Sequence, residues 1–146
     1  MSEFMQRFSQ LREANDFAGV IDAIPYAKLM GATFEVTDSG LLFALPFSPH
    51  NVGNTRLPAL HGGLIGGFLE NAALIHLIWN RESQETPKIV NFSLDYLRSG
   101  KPQTLYAQCE ITKQGKRVAH VLIEAWQEDR VRPVAVARAH FLLSAA

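Results

Sequence analysis

The sequence predicts an α+β fold, an antiparallel sheet wrapped around one long central helix. Three observations carry that expectation. Apolar and polar residues alternate in five separate runs, the pattern of half-buried strands. Residues 64–79 break the pattern: of these 16 residues eleven are apolar, two are glycine and only Glu70, Asn71 and His76 are polar. A helix apolar on nearly all sides is a buried one, and the apolar face of the sheet is what it would bury against. The later strands are also separated by short breaks, which join neighbours as antiparallel hairpins.

The elements follow in order along the chain. Residues 3–30 carry helical spacing, with Phe4, Phe8 and Leu11 on one stripe and Phe17, Val20, Ile21 and Ile24 on another, broken near Pro25. A pair of short helices is expected there. From Ala32 the period changes to two, and Leu41, Phe43, Leu45 and Phe47 alternate after the turn signal Asp38-Ser39-Gly40, so a hairpin starts the sheet. The segment from about His61 to Arg81 then crosses the sheet as the central helix. Alternation returns at Val90/Phe92/Leu94/Tyr96, Leu105/Ala107/Cys109/Ile111, Ala119/Val121/Ile123/Ala125 and Ala135/Ala137/Ala139/Phe141. Gly100, Gln114-Gly115 and Glu128-Asp129 separate these strands and predict mostly a meander. No repeat or long linker intervenes, so residues 1–146 read as one domain with short N-terminal helices.

A chain of 146 residues can bury about two thirds of its unfolded surface, enough for a substantial core. Its 14 basic and 14 acidic side chains cancel, which removes the charge excess that would draw it onto nucleic acid. With 47% hydrophobic and 19% charged residues it is too apolar for a disordered chain. Residues 57–79 are long enough to cross a bilayer but contain His61, Glu70, Asn71 and His76. Each ionisable group in mid-membrane costs roughly 3 kcal/mol, so a helix wrapped by protein is expected and no membrane partner. Cys109 is alone, which excludes an intrachain disulfide and a thiol-built zinc site, and His76, His120 and His140 lack metal-ligand spacing. Neither metal nor cofactor is expected. Glu3, Arg7, Arg12 and Glu13 interrupt any secretion signal, and a reducing, cytoplasmic setting fits.

Glu70 is the anomaly of the central helix. A carboxylate in so apolar a run must be paired, protonated or used by a ligand, and no Lys or Arg lies within one turn of it. Desolvation would suit it to act as a general base; pairing with a strand Arg, or solvent at the helix edge, is the competing reading. At the helix start, His61-Gly62-Gly63 leaves backbone N–H groups without intrahelical partners beside residues that admit a carbonyl oxygen closely. That is a candidate oxyanion hole, in which one donor is worth roughly 3 kcal/mol, although a plain loop-to-helix junction has the same sequence. Glycines at 62, 63, 66 and 67 cost about 1 kcal/mol each in a helix interior, which close approach of a ligand or a second helix would explain.

The run LPALHGGLIGGFLENAA, followed by SLDYLRSG and GKRVAHVLIEAW, resembles the hotdog-fold acyl-CoA thioesterases, in their phenylacetyl-CoA thioesterase-like branch. The resemblance covers roughly residues 17 to 143. It implies a long helix wrapped by an antiparallel sheet, paired into a homodimer, that hydrolyses acyl-CoA thioesters without metal or cofactor. Matched by position, it makes His61, Gly62 and Gly63 the HGG motif, with the Gly62 N–H polarising the thioester carbonyl, and Glu70 the helix carboxylate. In this family an asparagine shortly before the motif often helps position water. Asn51 and Asn54 both lie there, and Asn54 is favoured, against the reading of an ordinary turn asparagine. Coenzyme A carries phosphates, so basic residues at strand ends are candidates for its nucleotide end: Arg98, Lys116 and Arg117, with Lys101 and Lys113 beside them.

Gly62 and Glu70 are eight residues apart, about 12 Å along a helix axis at 1.5 Å per residue. One carbonyl cannot touch both. If both act on one thioester they come from different copies, with two antiparallel central helices side by side about a twofold axis. Two equivalent sites per homodimer follow, the glycines would form the close contact, and a dimer of dimers, a homotetramer, stays open. Two rivals remain. A hydroxyacyl-thioester dehydratase shares the fold and would use His50, though His50-Asn51-Val52 lacks the His-Phe-Pro pattern of those enzymes. A noncatalytic acyl-CoA-binding module is the other, because fold alone does not fix chemistry.

Overall fold

The computed structural model describes residues 1–143, so the last three residues of the expected domain lie outside the described residues. Three short helices open the chain. Helix α1 (Glu3–Glu13) is capped by Ser2, whose Oγ accepts the Met5 N–H at 3.2 Å, and α2 (Phe17–Asp22) by Asp16, which accepts the Gly19 N–H at 2.9 Å. The expected pair becomes three because Pro25 does not merely end a helix. Its fixed φ suits the first helical position, and it opens α3 (Pro25–Met30), which Gly31 closes at φ 78°.

Strands β1 (Thr33–Thr37) and β2 (Gly40–Leu45) form the expected hairpin, with Gly40 at φ 107° in the turn. Phe47 lies beyond β2 and is exposed rather than continuing the alternation. A tight 3-10 turn at Pro49–Asn51 leads into a two-stranded ladder of β3 (Val52–Asn54) and β4 (Ala59–Leu60). The long helix α4 (Gly62–Asn80) follows, then β5 (Lys88–Tyr96), β6 (Leu105–Gln114), β7 (Val118–Trp126) and β8 (Ala135–Leu142).

Among the described residues six strands form one antiparallel sheet in the order β1-β2-β6-β7-β8-β5. The meander holds for β6, β7 and β8. It fails for β5, which pairs with β8 at the sheet edge while residues 97–104 carry the chain across to β6. Gly100 therefore marks a crossover, not a hairpin; its carbonyl accepts the Leu60 N–H at 2.8 Å and fastens β4 to that crossover. A register shift between Ile89 and Asn91 also turns Val90 outward, 60% exposed, so Ile89, Phe92 and Leu94 face the core instead.

Under α4 the sheet offers a floor of small side chains. Ala107, Ala119, Ala125, Ala135, Ala137 and Ala139 are all buried, which lets Ile65, Phe68, Leu69 and Ile75 of the helix lie close to the strands. Each such large side chain contributes about 1.5–3 kcal/mol through burial. By length and composition α4 could cross a membrane, but its buried side is spent on the sheet. At its far end Trp79 gathers the aromatic rings of Phe8, Phe17 and Phe34 at centroid distances of 6.2, 5.6 and 5.5 Å, pinning α1 and α2 to the sheet.

Candidate active site

The start of α4 is fixed from three directions. His61 turns its Nδ1 back to accept the Gly63 N–H at 3.0 Å, while its own N–H donates to the Asn51 carbonyl at 2.9 Å. Nδ1 must then be unprotonated, with the ring proton on Nε2. From β5, the Tyr96 hydroxyl donates to the Gly62 carbonyl at 2.6 Å. One donor is left over: the Gly62 N–H, first in the helix, has no acceptor among the described residues. It borders a groove of about 370 Å³ walled by Leu60, Ile65, Tyr96 and Arg98, within the range of small-molecule sites. Of the two amides that the HGG motif suggested for substrate, Gly63's is thus taken by the histidine cap and Gly62's stays free.

The two asparagines separate clearly. Asn54, the favoured one, is exposed, and its Oδ1 accepts the Arg56 and Leu57 N–H groups at 3.0 and 3.2 Å, so it is the ordinary turn asparagine. Asn51 is 9% exposed with a buried Nδ2 that has no hydrogen-bond partner. A buried amide left unsatisfied is costly, and this one sits one backbone hydrogen bond from His61.

Glu70 is exposed on the single chain, contrary to the burial that its apolar surroundings suggested. The reason is geometric. Gly63, Gly66, Gly67, Glu70, Asn71 and Leu74 recur at three- and four-residue spacing, forming the least covered side of the helix, exposed at Gly63 and Glu70 and half-buried at the other four. No Lys, Arg or His pairs with Glu70; the ion pairs among the described residues are Lys101–Glu128 and Arg130–Glu124. The glycines have partners within their own chain. A Cβ at Gly67 would stand 2.7 Å from Tyr26 Cε1, at Gly66 3.3 Å from Leu94 Cδ2 and at Gly62 3.2 Å from the Tyr96 hydroxyl. Only Gly63 lacks such a neighbour beyond the His61 ring, so a second helix is not needed to explain the other three.

The basic candidates divide by position. Arg98 lines the groove at Gly62, and its Nε donates to the Pro133 carbonyl at 2.9 Å. Lys116 and Arg117 sit in the turn between β6 and β7, at the opposite end of the sheet. Eight strand steps from Val118 to Trp126 make that about 26 Å, so one chain cannot bring them to its own Gly62. His50 is exposed in the 3-10 turn, and burial pushes the Cys109 thiol far up, which denies it thiolate chemistry. Tyr96 is the residue that sequence reasoning left without a role, and Asn51 the water-positioning candidate that it did not favour. Tyr96 stood in the quoted SLDYLRSG run, but only the fold reveals what its hydroxyl touches.

The thioesterase superfamily model matches residues 57–134, just over half of the chain, from the loop before the HGG motif to the start of β8. The chain belongs to the thioesterase superfamily. A thioesterase cleaves a thioester with water, and the free amide, groove and unpaired carboxylate lie within the matched residues. The hotdog architecture expected from the HGG run holds as well. A solved protein from Chromobacterium violaceum is 66% identical over 95% of this chain and 97% of its own, with a TM-score of 0.82. A phenylacetic acid degradation-related protein from Ralstonia eutropha is 18% identical (94% of this chain, 99% of that one, TM-score 0.77) and shares the fold. So does a Bacillus halodurans protein solved with CoA, at 16% identity (98% and 90%, TM-score 0.71). No curated protein matches.

Proposed function

We propose that this thioesterase acts on acyl-CoA at a site shared by two copies of the chain. One observation carries the reading: the free Gly62 N–H and the unpaired Glu70 carboxylate occupy one helix but lie about 12 Å apart along it. A second, antiparallel α4 would bring its Glu70 beside the first copy's Gly62. The exposed Gly63 and Glu70 on one side of α4 and the unpaired outer edge of β5 leave room for that copy, and twofold symmetry then makes two sites. Pairing of two such dimers would follow the same symmetry. A reducing cytoplasm suits the lone thiol of Cys109.

In this site the thioester oxygen accepts the Gly62 N–H, which stabilises the negative charge that develops when the carbonyl carbon is attacked. Glu70 of the second copy removes a proton from water as the water oxygen bonds to that carbon. The intermediate collapses by breaking the C–S bond, and the protonated Glu70 returns its proton to the departing sulfur. Acid and thiol are released, and the carboxylate is restored. Direct attack by Glu70, giving an anhydride that water then opens, balances equally well. The Asn51 amide, rather than Asn54, is the candidate to hold the water.

Glu70→Gln keeps the shape and removes the base, so acyl-CoA turnover should fall by about 10²- to 10⁴-fold with the dimer intact by light scattering. Wild-type turnover in that variant would overturn the role. A single turnover in water labelled with heavy oxygen separates the routes: general-base attack labels the acid at once, whereas direct attack, with water opening the anhydride at the Glu70 carbon, releases unlabelled acid first and leaves the label on Glu70.

A further inference from the structure

The groove at Gly62 does not end at Arg98. Arg98 and Ser99 also line a second cavity, of about 310 Å³, whose other walls come from Lys101 and the loop before β8 with Gln127, Glu128, Asp129 and Arg132. The two spaces therefore meet along one stretch of chain. Within the second, the charges are unequally engaged. Lys101 and Glu128 neutralise each other at 3.6 Å. Asp129 is occupied in its turn, its Oδ1 accepting the Val131 N–H at 2.9 Å. Arg98 is held by its Nε on the Pro133 carbonyl, which leaves its terminal nitrogens available. Neither Arg98 nor Arg132 has a carboxylate partner among the described residues.

We propose that Arg98 and Arg132 cradle the diphosphate of coenzyme A, with the pantetheine arm lying in the groove between them and Gly62. This rests on the acyl-CoA reading above. Two guanidinium groups suit a diphosphate because each presents paired N–H donors to phosphate oxygens, which an ammonium cannot do. The placement also explains why Lys116 and Arg117, at the far end of β7, do not serve the same chain's site. Arg132 was not singled out by sequence, since arginines in a polar loop carry no pattern that tells one from its neighbour.

The test uses the full chain, with Arg98→Ala, Arg132→Ala and, as a control, Arg130→Ala. Arg130 shares the loop but is engaged elsewhere, 3.7 Å from Glu124 and stacked on Trp126 at 4.8 Å. Calorimetric titration with CoA should show each cradle variant about 10- to 100-fold weaker, with the control unchanged. Pantetheine, which lacks the phosphates, should bind all four proteins alike. In turnover the KM for acyl-CoA should rise in both cradle variants, while hydrolysis of the corresponding acyl-pantetheine stays level. Equal loss for both ligands, or no loss for CoA, overturns the cradle. Absence of hydrolysis of either thioester by the unmodified protein would overturn the acyl-CoA reading instead, and the titration would still decide the cradle. If only a thioester on a carrier protein's phosphopantetheine arm is bound and cleaved, with no binding of free CoA, the assignment to CoA falls.

Discussion

The two halves of α4 differ more than any two elements of the molecule. Residues 62–71 hold all four helix glycines and the exposed Glu70, and two tyrosines stand against their backbone. Residues 72–80 contain no glycine and carry Trp79 near their end, clamped by three phenylalanine rings. Glycine costs the first half helix propensity, about 1 kcal/mol at each interior position, and the second half offsets it through packing. One continuous helix thus anchors at its C-terminal end and carries the proposed site in its N-terminal half.

That contrast can be attacked from either side. Trp79→Ala should have the largest effect on folding, about 3 kcal/mol in urea denaturation, while the folded fraction keeps its turnover number. Loss of kcat in protein shown to be folded would mean that the halves are not separable. Tyr96→Phe probes the other end. It removes one hydrogen bond to the helix start, about 1 kcal/mol of stability, and should lower kcat about fivefold with KM unchanged, because the amide loses orientation rather than the substrate a contact. A change in KM alone would make Tyr96 a wall of the groove instead.

The smallest effect concerns pH. Burial of His76, in the anchoring half, lowers its pKa from 6.5. The unfolded chain therefore takes up that proton first, so stability is complete above about pH 6.5 and declines as the pH falls through the interval below it. His120 acts in the same direction, through burial and then the charges of His140 and Lys113. His76→Leu should flatten part of the acid decline seen in melting temperatures. An unaltered decline would assign it all to other groups.

Much of this fold was legible because it is local. Alternation found five of the six strands of the sheet, the turn signal at Asp38-Ser39-Gly40 implied the sixth, and the apolar run found α4 within two residues of its ends. Pairing is nonlocal, and there the reading failed: nothing in residues 88–96 announces an edge strand joined to β8, and the bulge at Val90 is invisible to an alternating pattern. The site followed the same division. Gly62, His61 and Glu70 stand out in the sequence by their oddity in a helix, whereas Asn51 and Asn54 differ only in burial and turn bonding. Glu70's exposure was in fact written in the spacing of Gly63, Gly66 and Gly67, but counting apolar residues hid the direction in which they face.

The run of alanines beneath α4 has one more effect. Because helix and strands meet with so little depth between them, a tunnel for an acyl tail cannot open beneath α4 without lifting the rod off its bed. In the proposed dimer, selection for longer or bulkier tails would then act on the seam between copies, leaving the interior untouched, so relatives of unlike appetite should share their alanines and differ in what surrounds Tyr26 and Leu74.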